Sequence, residues 1–233
     1  MTTFQRLFGI TNSEVKNTCM LLPLVQKNGL EWLGVKDLSK GKLYSSGNSK
    51  DFTVIHTGMG PALSGDAVLY LEKTPCRNII VFGSCGLIKE EKDLNIGGLV
   101  TPEKCYSMES FTDMLAQERK KYDLFYPDKT LLEKLPEVKK VTCATLGSLK
   151  LEEGYRDSFE AKEIQVVDME TSAIFSAAQH IGKKAIALFY ITDIINKKPF
   201  YRGLSAADRL RLSSSIKSAS NILCDLIKKN LRD

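Results

Sequence analysis

Apolar residues along the chain fall into short blocks parted by glycine- and serine-rich breaks, and the period inside each block sets the element. Residues 164–167 are a short run suited to a strand, after which Ala173, Ile174, Ala177, Ala178 and Ile181 recur at helical spacing. Gly182 supplies a helix stop, with Lys183 and Lys184 beside the negative end of the helix dipole. Residues 185–191 are apolar throughout, as expected for a strand covered on both faces. Together they read as one βαβ unit. Residues 52–57, with Val54 and Ile55 at their centre, form a strand that runs into Thr57-Gly58-Met59-Gly60-Pro61. A helix through Ala62, Ala67, Leu69, Tyr70 and Leu71 follows. A very apolar strand at 78–82 then ends in a Gly83-Ser84-Cys85-Gly86-Leu87 turn, which makes a second βαβ unit. The pattern predicts a mostly parallel sheet wound with helices.

The rest of the chain is less regular. Residues 4–10 read as an opening strand, and Thr11-Asn12-Ser13 as a turn capping a helix over 14–24, which puts Glu14 in its first turn. Residues 41–50 suggest a hairpin and loop, and 99–101 a short strand after Gly97-Gly98. Between 106 and 136 the sequence reads as an excursion of loops with one short helix, and 138–146 as a strand closed by Gly147-Ser148. A loop over 196–201 precedes a last helix from Ser205, where Ser205 and Asp208 form a capping pair. Its expected buried stripe is Ala207, Leu210, Ile216, Ala219, Leu223, Leu226 and Ile227.

Composition adds exclusions. A length of 233 residues, 43% hydrophobic and 26% charged, fits one globular domain over 1–233. The net charge of +5 is spread along the chain, with lysine pairs at Lys120-Lys121 and Lys228-Lys229. No basic stripe interleaved with aromatics points to nucleic acid. Six widely spaced cysteines without a Cys/His cluster argue for reduced thiols, against zinc and against a disulfide framework. No apolar run approaches membrane-helix length and no secretory segment follows Met1, so a cytoplasmic protein with no membrane partner is expected.

Two carboxylates carry the candidate chemistry. Glu170, in Asp168-Met169-Glu170, and Asp193, in Thr192-Asp193, both fall beyond the carboxyl ends of apolar strands, where open α/β sheets bind ligands. The plainer reading leaves Glu170 capping a helix and Asp193 ending a strand. The glycines at 58 and 60 permit close backbone approach to a ligand, or simply a tight connection. His56 and His180 read as packing or surface residues, and Phe200 and Tyr201 as either a cover for the site or a surface loop.

Thr57-Gly58-Met59-Gly60, Gly83-Ser84-Cys85-Gly86, Asp168-Met169-Glu170 and Thr192-Asp193 occur in an order and spacing that resembles the purine nucleoside phosphorylase and nucleosidase superfamily. In pattern the chain looks most like the 5'-methylthioadenosine/S-adenosylhomocysteine nucleosidases and futalosine hydrolases. The resemblance implies an α/β domain with a mixed, twisted central sheet between helices in three layers. It also implies a nucleoside substrate, assembly as a homodimer or larger oligomer, and no metal or organic cofactor. By the same resemblance Asp193 is the acid at purine N7, with Thr192 beside it. Glu170 binds the ribose hydroxyls, Met169 packs on the sugar, Asp168 opens that triplet, and Ser84 beside Gly83 contacts the nucleophile or ribose. Glu14 matches the residue that activates water in the nucleosidases.

The chain departs from the family at Asp168, shorter than the usual glutamate, at Asn12-Ser13, where further acids are common, and over 147–151, the base-clamping loop. Val81 stands where many phosphorylases carry arginine, and their Gly-Asp-Pro-x-Arg loop is absent. A phosphate dianion without a guanidinium is poorly compensated, whereas water needs only a base. Hydrolysis of an N-ribosyl bond is therefore the expected reaction. Phosphorolysis, with phosphate as co-substrate, is the alternative, and a catalytically silent nucleoside-binding member is the second.

Overall fold

The computed structural model describes residues 1–26, 28–118, 124–136, 138–195 and 197–231; Lys120-Lys121 and Asn196 lie outside them. In chain order the elements are α1 (Thr3–Phe8), β1 (Thr18–Leu22), α2 (Gly29–Trp32), β2 (Ser39–Lys40), β3 (Ser45–Asn48) and β4 (Thr53–His56). Then come α3 (Pro61–Tyr70), β5 (Asn78–Leu87), β6 (Leu99–Met108), α4 (Phe111–Ala116), β7 (Leu124–Phe125), α5 (Lys129–Leu132) and β8 (Lys139–Leu146). The chain ends with α6 (Arg156–Ala161), β9 (Val166–Asp168), α7 (Thr171–His180), β10 (Lys184–Ile194) and α8 (Ala206–Asn230).

The central strands are apolar on both faces because each face meets its own helical layer. Cys19, Leu21, Ile79, Val81, Ala187 and Phe189 pack with Ala67 and Val68 of α3 and Ile174, Phe175 and Ala178 of α7. Their sequence neighbours Met20, Leu22, Ile80, Phe82, Ile186, Leu188 and Tyr190 pack with Ile216, Leu223 and Ile227 of α8. The period of two splits one continuous hydrophobic run between two cores and makes three layers.

The expected βαβ over 52–87 holds, since β4, β1 and β5 are parallel with α3 crossing between the outer two. The expected βαβ over 164–195 does not. β10 is parallel to β5, whereas β9 is antiparallel to it, so the two strands flanking α7 run in opposite senses. The pairing instead closes on itself: β5 bonds β10, β10 bonds β6, β6 bonds β8, β8 bonds β9, and β9 returns to β5. Closure requires bent strands, and register shifts interrupt β10 between Ile191 and Asp193 and β6 between Pro102 and Lys104.

Several local expectations are corrected. Residues 4–10 contain helix α1, not a strand: Phe4, Leu7 and Phe8 follow a helical spacing, Phe4 stacks on Phe8 at 4.2 Å, Thr2 caps the start and Gly9 (φ 80) the end. Residues 14–24 are not a helix. A short 3-10 turn at Asn12–Glu14 leads to β1, whose fully buried position between β4 and β5 overrides the weak strand propensity of Cys-Met-Leu-Leu. Gly83-Ser84-Cys85-Gly86 is not a turn but the middle of β5, and β6 runs ten residues where three were expected. Among the described residues the excursion after Tyr106 holds two short helices and a two-residue strand. In α8 the Ser205–Asp208 cap forms, but Leu210 is 73% exposed and Ala207 is exposed, so the buried stripe begins later, at Ile216.

Candidate active site

The carboxyl ends of β1, β5, β9 and β10 converge on a cavity of about 450 Å³. Asp193, Thr192, Glu170, Met169, Asp168 and Ser84 all line it. Of the expected site residues, Gly83 and Glu14 do not. Gly83 lies in β5 behind Ser84, where an added Cβ would meet Pro23 at 3.6 Å. A larger hollow of about 720 Å³ is an open groove of mixed charge around Arg156 and Glu163 and contains none of the four motifs.

The three acids have different surroundings and so different tasks. Asp168 ends β9, and its Oδ2 accepts from the Glu170 and Thr171 N–H groups (3.1 and 2.7 Å) and the Thr171 hydroxyl (2.5 Å). Its Oδ1 accepts from the Thr145 hydroxyl (2.6 Å) and the Cys143 thiol (3.7 Å). Burial pushes this carboxyl up and those donors pull it back. Asp168 is thus spent on tying α7 to β8, and a direct substrate contact is not its main part.

With Asp168 satisfying the first α7 amides, Glu170 is released from capping. It occupies the N-cap position without a side-chain cap bond and reaches across to accept the Gly60 N–H at 2.7 Å. Gly60 has φ 109, a backbone that only glycine adopts freely, and this turns its N–H toward the acid. Burial first and the Asp168 charge second push the Glu170 carboxyl up to about 8. At neutral pH it therefore carries a proton. The plainer reading of Glu170 as a cap is set aside.

Asp193 is the first paired residue after the β10 irregularity, opposite Gly86 of β5. Its Oδ1 accepts from the Thr192 hydroxyl at 2.8 Å. A Cβ on Gly86 would sit 3.3 Å from Asp193 Oδ2 and 3.5 Å from Val167, so the missing side chain is what lets β9 and β10 present their acids to one space. Burial raises the Asp193 carboxyl, opposed by the Thr192 bond. Both Glu170 and Asp193 are 6% exposed.

Glu14 is exposed, and its Oε2 accepts from the Thr11 N–H (2.6 Å) and hydroxyl (2.7 Å) in a capping box, which lowers its pKa. A water-activating role in this cavity is withdrawn, because β1 separates Glu14 from the strand ends. Sequence reasoning missed Gln26, which follows β1, lines the cavity and donates Nε2 to the Tyr190 hydroxyl at 3.2 Å. It also missed the buried Glu152. The signal for Gln26 was obscured by assigning 14–24 to a helix; once β1 is a strand, the residues after Leu22 stand at its carboxyl end. Phe200 joins the wall and Tyr201 does not, so the aromatic pair covers the site in part. Leu24, Met59, Leu146, Leu149, Leu204 and Leu212 complete an apolar lining without Lys, Arg or His among the described residues.

A sequence profile of the Phosphorylase superfamily matches residues 21–228. The chain belongs to this superfamily. A purine nucleoside phosphorylase of the DeoD type from Chromobacterium violaceum is 28% identical over 173 residues, 69% of each chain. Two solved structures share its fold. Uridine phosphorylase from Vibrio fischeri ES114, complexed with 6-hydroxy-1-naphthoic acid, superposes with a TM-score of 0.80 at 19% identity, covering 97% of both chains. Campylobacter jejuni 5'-methylthioadenosine/S-adenosylhomocysteine nucleosidase gives 0.71 at 15% identity, covering 92% of this chain and 99% of that one. The superfamily's fold is the mixed α/β sheet between helices described above, and its members act on nucleosides as phosphorylases or nucleosidases.

Proposed function

We propose that the protein hydrolyses the N-glycosidic bond of a purine nucleoside or 5'-modified nucleoside, releasing the free base and a ribose derivative. The observation that supports this reading is the wall of the cavity: four carboxylates (Glu152, Asp168, Glu170, Asp193) and no cationic side chain among the described residues. Such a wall gives a phosphate dianion no guanidinium or ammonium partner, and the carboxylate that Asp193 becomes on giving up its proton suits an oxocarbenium-like sugar, whose positive charge it stabilises. In this reading Asp193, whose pKa burial raises, gives its proton to purine N7 as the bond to the sugar breaks. Glu170 holds the ribose hydroxyls against the Gly60 backbone. Water held by the Gln26 amide and the Ser84 hydroxyl adds to the cationic sugar carbon, and the proton it sheds restores the Asp193 carboxyl. A sugar cation this electrophilic needs a placed water more than a strong base, which accommodates a site without Glu14. The apolar wall from Leu24 to Leu212 takes an uncharged 5' substituent.

The test is release of base from adenosine, inosine, methylthioadenosine, S-adenosylhomocysteine and futalosine in phosphate-free buffer and with added phosphate. The expected result is equal turnover in both, with a free ribose product. Turnover appearing only with phosphate, and a ribose 1-phosphate product, would mean that the chain is a phosphorylase like the relatives from Chromobacterium and Vibrio.

A further inference from the structure

A second cavity, about 440 Å³, lies at the opposite edge of the sheet, where β1, β5 and β10 begin. Asn17 precedes β1, Asn78 opens β5 and Lys184 opens β10, with Thr18 and Lys184 both in register with Asn78. Seven residues of extended β5 separate Asn78 from Cys85 in the candidate active site, roughly 23 Å at 3.3 Å each. Among the described residues four cationic side chains line this cavity, Arg77, Lys134, Lys183 and Lys184, and no carboxylate does.

Part of that charge has a local task. The carboxyl ends of α7 and α8 arrive here at Gly182 and Asn230, each helix end worth about half a negative charge. Lys183 Nζ donates to the Cys76 carbonyl at 2.5 Å and Lys134 Nζ to the Asn230 carbonyl at 3.2 Å. Lys184 turns to Thr130 (2.9 Å) and toward Asp128, whose pKa it helps to lower from outside the cavity. Three cations then face two half-charges, an excess of about two positive charges. Each lysine has two further N–H groups, and the exposed Arg77 guanidinium has no hydrogen-bond or ion-pair partner among the described residues.

We propose that this cavity is a second ligand site that binds a diphosphate group, either free or carried on a nucleotide. An unpaired arginine fork with two flanking ammonium groups matches the charge of such an anion and offers it several N–H donors. The volume exceeds what one phosphate fills. The inference is independent of the reaction proposed for the nucleoside cavity, and its test does not use turnover.

Calorimetric titration with inorganic diphosphate, ADP and adenosine addresses it directly. Wild type is expected to bind diphosphate or ADP, with adenosine silent at this site. Arg77→Gln should weaken binding at least fivefold, and Arg77→Gln/Lys134→Gln at least tenfold, glutamine keeping a donor for the Asn230 carbonyl. The control Lys217→Gln/Lys228→Gln, which removes the same charge from exposed positions of α8, should bind as wild type does. Binding by ADP alone identifies a nucleotide as the carrier; binding by both identifies the diphosphate group itself. Absence of binding by both anions overturns the proposal, as does full binding in the Arg77 variants or an equal loss in the control. The single Arg77 variant removes no described contact and carries the test if the double variant folds poorly.

Discussion

Three carboxylates within one stretch of chain end up with three chemistries, decided by who donates to each. Asp168 receives two backbone N–H groups, two hydroxyls and a thiol and acts as a fastener. Glu170 keeps backbone donors at Gly60 and Met169, too few to offset its burial, and stays protonated at pH 7. Asp193 has one hydroxyl, from Thr192, and burial that raises its pKa. An acid of this kind loses its proton, and the site its activity, as pH rises through the elevated pKa. Asp193→Asn, which keeps shape but cannot deliver a proton, should slow base release about 10²- to 10⁴-fold while nucleoside binding persists. Single-turnover measurement of liberated base checks this, and wild-type rates in the variant would remove Asp193 from the reaction. Glu14 is the counter-example at the same scale: with Thr11 three residues upstream it satisfies a turn, and no strand end carries it to the cavity.

At the level of elements, the site depends on glycine within a strand. Gly86 lies between Val167 of β9 and Asp193 of β10, and β5 is their common partner. A methyl there would need Asp193 Oδ2, 3.3 Å from the ideal Cβ, to yield a few tenths of an ångström, while Val167 at 3.5 Å would be in ordinary contact. Side chains give that much without unfolding, but a displaced acid loses its alignment, and misplacement by about 1 Å can cost 10²-fold. Gly86→Ala should therefore fold with a near-native melting temperature yet turn over substrate at least tenfold more slowly. A variant with wild-type kcat would show that the spacing between β9 and β10 does not limit catalysis. The helix α7 contributes by what it leaves undone: because Asp168 accepts from its first amide, Glu170 at its N-cap position is available to the cavity.

For the whole molecule, the elevated Glu170 pKa is a statement about stability as well as chemistry. Below about pH 4.5, its ordinary value, the carboxyl is protonated both folded and unfolded and has no effect. Between there and about 8 the unfolded chain ionises while the folded chain holds the proton, so stability falls across that window and levels off above it. The loss is on the order of a few kcal/mol, because each pKa unit is worth about 1.4 kcal/mol. Glu170→Gln abolishes this cost. Its melting temperature should match wild type near pH 4.5 and exceed it by a margin that grows to pH 8. Parallel melting curves from pH 4.5 to 9 would mean that Glu170 is ionised in the fold.

The local alphabet of this chain was largely legible from sequence: the apolar runs at 53–56, 78–82, 139–146 and 185–191 are strands, the glycine-flanked segments after 60 and 170 are helices, and the Ser205 cap forms. Period and capping depend on neighbours a few residues away, so they are written in the chain itself. The sequence also identified Glu170 and Asp193, whose cavity now joins them. Tertiary structure alone decided the rest. Whether β9 runs with or against β10, whether Gly83-Ser84-Cys85-Gly86 turns or continues, and whether residues 18–22 are strand or helix all depend on which distant strand supplies the hydrogen bonds. Backbone pairing is nearly blind to side-chain identity, so those choices were made by closure of the sheet and burial of its two faces, and with them the exclusion of Glu14 and the entry of Gln26.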